Sequence, residues 1–222
     1  MAKKIYINPG HSDKDPGAVG YAKERDLNVS VSKYMNEYLL EHYDCETRIY
    51  SNDSLAAVCK DANNWGADLF VSNHFNAGGG DGFETFVYSE KRVDLGKVFA
   101  KHVNAVGQNL RSSSVAPGVK IRPSLYVLKN TNMTAILNEG AFVDNSKDIQ
   151  DWDEENELKK LGIAYAKAAA EYLKLEEKVV EEKPQVWYRV QVGAYREKAN
   201  AEAMLKKIKA AGFADAYIKE GD

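Results

Sequence analysis

Two periodicities share this chain. Residues 3–8 (KKIYIN) form an apolar run that reads as a buried strand. Past a Gly/Asp/Pro-rich loop, PGHSDKDPGAVG, the residues Leu27, Val31, Tyr34, Met35, Tyr38 and Leu39 recur on one face of a helix of about 20 residues. Residues 46–50 predict a second strand. Ser54–Trp65 predicts a helix, with an N-cap in Asn52-Asp53-Ser54 and a stop at Gly66. A strand over 68–73, the glycine loop NAGGGDG and a strand over 83–88 come next. The pattern then predicts a helix over 92–110, a polar loop over 111–123, strands over 125–128 and 134–138, and a helix over 154–174.

Alternation of this kind predicts an α/β fold, a twisted sheet flanked by helices on both faces. The close spacing of 68–73 with 83–88, and of 125–128 with 134–138, predicts antiparallel pairs, so a mixed, mostly parallel sheet is expected. From about residue 175 the composition shifts to LEEKVVEEKP, a charged interdomain linker. WYRVQVGAY then reads as a strand, EKANAEAMLKKIKAAG as an amphipathic helix closed by Gly212, and FADAYIK as another strand. One βαβ unit of that size is too small to hold a core alone. The expected domains are 1–174, a linker over 175–186, and a partial unit over 187–222.

Composition narrows the function classes. At 44% hydrophobic and 28% charged the chain is an ordinary globular protein, and a net charge of -3 offers no basic face for nucleic acid. No apolar run approaches the roughly 18–20 residues needed to span a bilayer. The N-terminus, MAKKIYIN, enters a strand at once, so an export leader is expected either to be lacking or to have been removed. Cys45 and Cys59 form no metal-type pair and read as small buried hydrophobes.

Four side chains do not fit a packing role. His11 and His74 each follow an apolar run (KKIYIN-PG and DLFVSN), Glu139 ends a third (TAILN), and Glu24 opens the first long helix. Strand ends gather at one edge of an open α/β sheet, where ligand sites form. Two imidazoles and a carboxylate suffice for a catalytic zinc with one position open, and a further carboxylate is then available as a base. Taken singly, His11 is equally a loop histidine, and Glu24 is a carboxylate that a helix dipole favours by about 0.3–1 kcal/mol. His74, between Asn73 and Asn76 and before AGGG, is not core packing. Glu139, at the end of a buried strand, is costly to desolvate unless paired, protonated or metal-bound. His42 and His102 fall within helices and read as surface or packing residues, while Tyr6, Tyr34, Tyr38 and Trp65 fit core periodicities.

Three ordered segments carry a family resemblance: INPGHSDKDPGAVG with KERDLN after it, NNWGADLFVSNHFNAGGGDGFE, and LYVLKNTNMTAILNEGAFVDN. Across residues 3 to about 174 the chain resembles the zinc-dependent N-acetylmuramoyl-L-alanine amidases of autolysins, mother-cell-lysis enzymes and phage endolysins. That resemblance implies Zn²⁺ held by His11, Glu24 and His74, with Glu139 as the catalytic carboxylate. It also makes Asn76 and the AGGGDG loop candidates for lining a peptide groove. Asn8, Asn73 and Asn138 depart from the family pattern, standing where an acidic residue or apolar residues are usual. The tail YRVQVGAYREKANAEAMLKKIKAAGFADAYIK resembles the first half of a SPOR-type peptidoglycan-binding domain.

The resemblance implies a hydrolase acting on peptidoglycan at the bacterial cell wall, cutting the amide between the lactyl group of N-acetylmuramic acid and L-alanine. A monomer is expected, with no nucleic-acid or membrane partner, released by lysis or through holin pores if no leader exists. Two rivals remain: a zinc peptidase or deacetylase on the same scaffold, and a non-catalytic wall-binding module.

Overall fold

A computed structural model describes residues 2–178 and 190–220. The contact pattern divides the chain into one unit of residues 1–180 and another of 181–222. In chain order the first unit holds β1 (Lys3–Pro9), α1 (Glu24–His42), β2 (Cys45–Ile49), α2 (Leu55–Trp65), β3 (Leu69–Asn76) and β4 (Glu84–Val87). A 3-10 turn at Glu90–Arg92 leads into α3 (Val93–Ala105). Then come β5 (Val119–Ile121), α4 (Tyr126–Asn130), β6 (Thr134–Phe142), α5 (Ser146–Ile149) and α6 (Glu155–Leu173).

The six strands form one sheet in the order β2-β1-β3-β6-β4-β5. β2, β1, β3 and β6 run parallel, β4 is antiparallel to β6, and β5 is parallel to β4. The expected mixed, mostly parallel sheet with helices on both faces is therefore present. On one face Ile5, Ile7, Leu69, Val71 and Ile136 pack with Leu27, Val31, Met35 and Leu39 of α1, Leu95 and Phe99 of α3, and Leu161 and Tyr165 of α6. On the other, Tyr6, Phe70 and Leu137 pack with Val58 and Cys59 of α2 and Val127 and Leu128 of α4. Each large apolar side chain buried this way contributes about 1.5–3 kcal/mol. The α1–α6 contact is close enough to need a glycine, since a Cβ on Gly162 would sit 2.7 Å from the Val31 carbonyl oxygen.

Several local expectations are corrected. Residues 126–128 lie in a short helix that Leu125 precedes as its extended N-cap, not in a strand: Val127 and Leu128 bury against α2, and a four-residue apolar run carries no period that separates the two states. The 125–128/134–138 hairpin accordingly does not form. β4 does not pair with β3 either, because β6 inserts between them. The polar loop over 111–123 contains β5, a three-residue strand too short to show alternation. The helix expected over 92–110 ends at Ala105, with Gly107 beyond it at φ 107°.

In the second unit α7 (Lys198–Ala210) forms as expected, and Gly212 follows at φ 103°. Neither flanking strand is present over residues 190–195 or 213–219, and no described residue of this unit is buried. A helix closes its hydrogen bonds within itself, whereas a strand needs a partner. Linker residues beyond 178 and residues 187–189 of the first tail strand lie outside the described residues. No described helix is long and apolar enough to cross a membrane.

Candidate metal centre

The sheet topology brings the four singled-out residues to one edge. β1 delivers the chain to His11, whose backbone adopts φ 65°, a left-handed conformation costly for a residue with a side chain. α1 begins at Glu24 and points its first turn at the same place. His74 and Glu139 sit within strands, not past their ends as the sequence suggested: β3 runs on to Asn76 and β6 to Phe142. They are register partners in the parallel β3–β6 ladder, and Glu139 is in turn the partner of Glu84 in β4. Side chains opposite one another in a ladder share a sheet face, so His74, Glu139 and Glu84 form a row across three strands.

His11, Glu24 and His74 converge. Glu24 Oε1 lies 3.0 Å from His11 Nε2 and 2.8 Å from His74 Nδ1. Its other oxygen, Oε2, accepts from the Ala18 N–H at 2.9 Å. The other ring nitrogen of His11, Nδ1, meets Asp15 Oδ2 at 2.8 Å. Burial pushes the Glu24 carboxyl up, but hydrogen bonds from His11 and His74 outweigh it and hold the group well below the ordinary carboxylate range. The hydrogen bond to Glu24 pushes His11 up to about 9, aided by Asp15 and opposed by burial. Gly17, at φ 66°, makes room: a Cβ there would lie 2.6 Å from Glu24 Oε2 and 2.6 Å from the His11 ring.

This donor set fits a metal ion. One ligand atom from each of the three residues lies within 4.8 Å of the others. Around a tetrahedral ion, nitrogen and oxygen ligands at about 2.0–2.2 Å stand roughly 3.2–3.6 Å apart, which falls between the 2.8 and 3.0 Å contacts of Glu24 Oε1 and the 4.8 Å limit of the cluster. Asp15 makes the kind of outer hydrogen bond that would fix the orientation of His11 as a ligand.

Glu139 is different. It remains partly accessible as a residue, yet its Oε2 is sealed from solvent and has no hydrogen-bond partner. Burial pushes its carboxyl well above the ordinary range, the charges of Glu24 and Glu84 add to that, and His11 opposes it. A buried carboxylate oxygen without a partner is costly for stability alone.

Glu84, Arg111, Lys120 and Asp148 were not singled out from the sequence, and the structure gives Asn76 and the glycine loop new partners. Glu84 is buried and bridges Arg111 Nε at 3.1 Å and the Lys120 ammonium. Asn76, expected in a peptide groove, donates to Glu84 Oε1 at 2.7 Å. The glycine loop is pinned from the segment after β6: Asp144 Oδ2 accepts from Gly78 and Gly79 at 2.7 and 3.0 Å, and Asp148 Oδ2 from Gly82 at 2.9 Å. These depend on contacts between distant segments, which no local pattern reports.

The three asparagines are buried and paired. Asn8 Nδ2 donates to the Tyr50 carbonyl, and Ser72 Oγ donates to Asn8 Oδ1. Asn73 Nδ2 donates to Ser32 Oγ, and Thr85 Oγ1 to Asn138 Oδ1. None of these bonds reaches a side chain of the His/Glu cluster. Cys45 and Cys59 are buried free thiols, and His102 pairs with Glu171 at 2.8 Å.

Comparisons with known proteins bear on the fold and the family. A family model for N-acetylmuramoyl-L-alanine amidase matches residues 5–171, and one for the SPOR domain matches residues 156–220, beginning inside α6. The sporulation-specific N-acetylmuramoyl-L-alanine amidase of Bacillus subtilis (strain 168) is 30% identical over 217 residues, spanning 95% of this chain and 82% of that protein. The endolysin of Bacillus phage SPP1 is 29% identical over 186 residues, 80% of this chain and 69% of that one. The solved catalytic domain of CwlV, an N-acetylmuramoyl-L-alanine amidase from Bacillus (Paenibacillus) polymyxa var. colistinus, superposes with a TM-score of 0.70. It is 26% identical and covers 78% of this chain and 99% of that one. The motifs, the sheet order and a match over three quarters of the chain lead to one conclusion: this protein belongs to the N-acetylmuramoyl-L-alanine amidase family.

Proposed function

We propose that this enzyme hydrolyses the amide joining the lactyl group of N-acetylmuramic acid to L-alanine of the stem peptide, with Zn²⁺ held by His11, Glu24 and His74 and with Glu139 carrying the proton. The observation behind this reading is the sealed, partnerless Oε2 of Glu139 in register beside a converged His/Glu/His set. Bound there, zinc supplies Lewis-acid polarisation of the scissile carbonyl and makes water a nucleophile near neutral pH. Glu24, held ionised, balances the ion's charge, and Asp15 steadies His11. Glu139 takes a proton from the attacking water and returns it to the alanine nitrogen as the C–N bond breaks. The products are a lactyl carboxylate and a new amine on L-alanine.

No observation favours a non-catalytic wall-binding module, since all four residues are present and three converge. A peptidase or deacetylase differs in product. The SPOR match supports a wall-contacting role for the tail and action at the bacterial cell wall. The protein acts as a monomer in this reading, without nucleic-acid or membrane partners.

The test is digestion of purified wall followed by mass spectrometry of soluble products, with and without a chelator. Stem peptides beginning at L-alanine, lost on chelation and restored by zinc, are the expected result. Cleavage within the glycan or between stem residues, or undiminished release under chelation, would overturn it.

A further inference from the structure

The row His74–Glu139–Glu84 continues into cations. Lys120 of β5 pairs in register with Phe86 of β4, two residues from Glu84 and therefore on the same sheet face. Its ammonium meets Glu84 Oε2, and the Arg111 guanidinium meets the same oxygen through Nε. Among the described residues, no other carboxylate comes within 4.0 Å of either cation. Two positive groups thus share one buried negative group, a local excess of one positive charge in a protein whose formal net charge is -3.

The arrangement is also shaped. The Arg111 guanidinium stacks over the Phe142 ring at 4.5 Å. The glycine loop lies against both, since a Cβ on Gly80 would fall 2.0 Å from Arg111 Nη1 and 2.4 Å from Phe142 Cζ. Arg111 engages Glu84 through Nε, which leaves the paired Nη groups as a fork, the donor geometry suited to a carboxylate. Arg111 and Lys120 side chains are 28% and 26% exposed, so both remain within reach of a ligand.

We propose that Arg111 and Lys120, held by Glu84, form a subsite that binds a carboxylate of the stem peptide, on the leaving-group side of the scissile amide. Two strand spacings, about 10 Å, separate the His74 position from that of Glu84. At about 3.3–3.6 Å per extended residue, the carboxylate belongs to the second or third residue of the peptide. This deepens the amidase reading and rests on it.

The test uses the full 222-residue protein and two synthetic N-acetylmuramoyl tripeptides, identical except that the carboxylates of the second and third residues are all free in one and all amidated in the other. Calorimetric titration of the wild-type protein, kept metal-free with a chelator so that neither peptide is cleaved, should show the free form binding roughly 10- to 100-fold more tightly, the scale of one charge-assisted hydrogen-bonded pair. In Arg111→Met and in Lys120→Met that ratio should fall toward one. Lys120 lies on an edge strand, so its variant tests the proposal even if Arg111→Met does not fold. Equal binding of both peptides by the wild type, no binding of either, or equal weakening of both in the variants would overturn it. Turnover of intact wall is scored separately. Retained discrimination without cleavage leaves the subsite standing and sinks the catalytic assignment.

Discussion

His74 and Glu139 stand opposite one another in the parallel β3–β6 ladder. A ladder position fixes side-chain direction through the backbone, so a ligand-type imidazole and the partnerless carboxylate are held side by side by the sheet itself. Neither depends on a mobile loop for its placement. On the proposed reading this separates two jobs: His11, Glu24 and His74 as ligands, and Glu139 as the proton carrier.

Replacing Glu139 by Gln should therefore split metal binding from turnover. The amide is isosteric and uncharged, and it cannot take a proton from water. Zinc content by mass spectrometry should stay at the wild-type level, while the rate of stem-peptide release falls about 10²- to 10⁴-fold. Release at the wild-type rate would remove Glu139 from the mechanism.

Asp15→Ala tests the outer contact on His11. Asp15 is exposed and bonds the ring nitrogen that faces away from Glu24. Its loss should leave the thermal midpoint nearly unchanged and weaken zinc binding roughly 10- to 100-fold. Competition against a chelator of known affinity measures this directly.

Gly17→Ala should act through both conformation and space. A left-handed alanine costs about 1–2 kcal/mol, and its methyl would press on Glu24 and His11. The expected result is a folded protein with a circular dichroism spectrum like the wild type and impaired zinc uptake. Full zinc affinity would show that the site tolerates displacement of both ligands.

Asp148→Ala is expected to be a stability variant. Asp148 is buried and accepts from Gly82, Phe142 and Gln108 at 2.9, 2.8 and 3.0 Å. Removing it leaves those donors without their acceptor, at a cost of about 3 kcal/mol. The thermal midpoint should fall by roughly 6–12 °C, with zinc binding retained in the protein that remains folded.

Glu84→Gln should destabilise through its cations. Arg111 and Lys120 would lose their shared counter-charge, while Asn76 would keep an amide oxygen to donate to. A loss of about 2–3 kcal/mol is expected, below the figure for a fully enclosed pair because both cations keep solvent access. Urea titration of the wild type and the variant reads it. A midpoint within error of the wild type would mean that Glu84 is dispensable to the fold.

Legibility followed the range of the interactions. The helix of Leu27, Val31, Met35 and Leu39 is written in a repeating apolar face, and the structure has α1 there. The segment 125–128 has no such repeat, and its state was settled by Val127 and Leu128 packing on α2. The tail repeats the point: α7 forms, while the described parts of its flanking segments form no strands.

By itself the sequence determined the α/β alternation and the four chemically unusual residues, because amphipathic period and the cost of burying a charged or imidazole group are local properties of residue type and neighbourhood. Only the tertiary structure decided that β6 runs between β3 and β4, and this one insertion places Glu139 between His74 and Glu84. Strand order is set by long-range backbone hydrogen bonds and by which apolar faces close on one another. For that reason the contacts of Arg111 with Glu84 and of Asp148 with Gly82 and Gln108, made between segments far apart in the chain, are properties of the fold and of no segment within it.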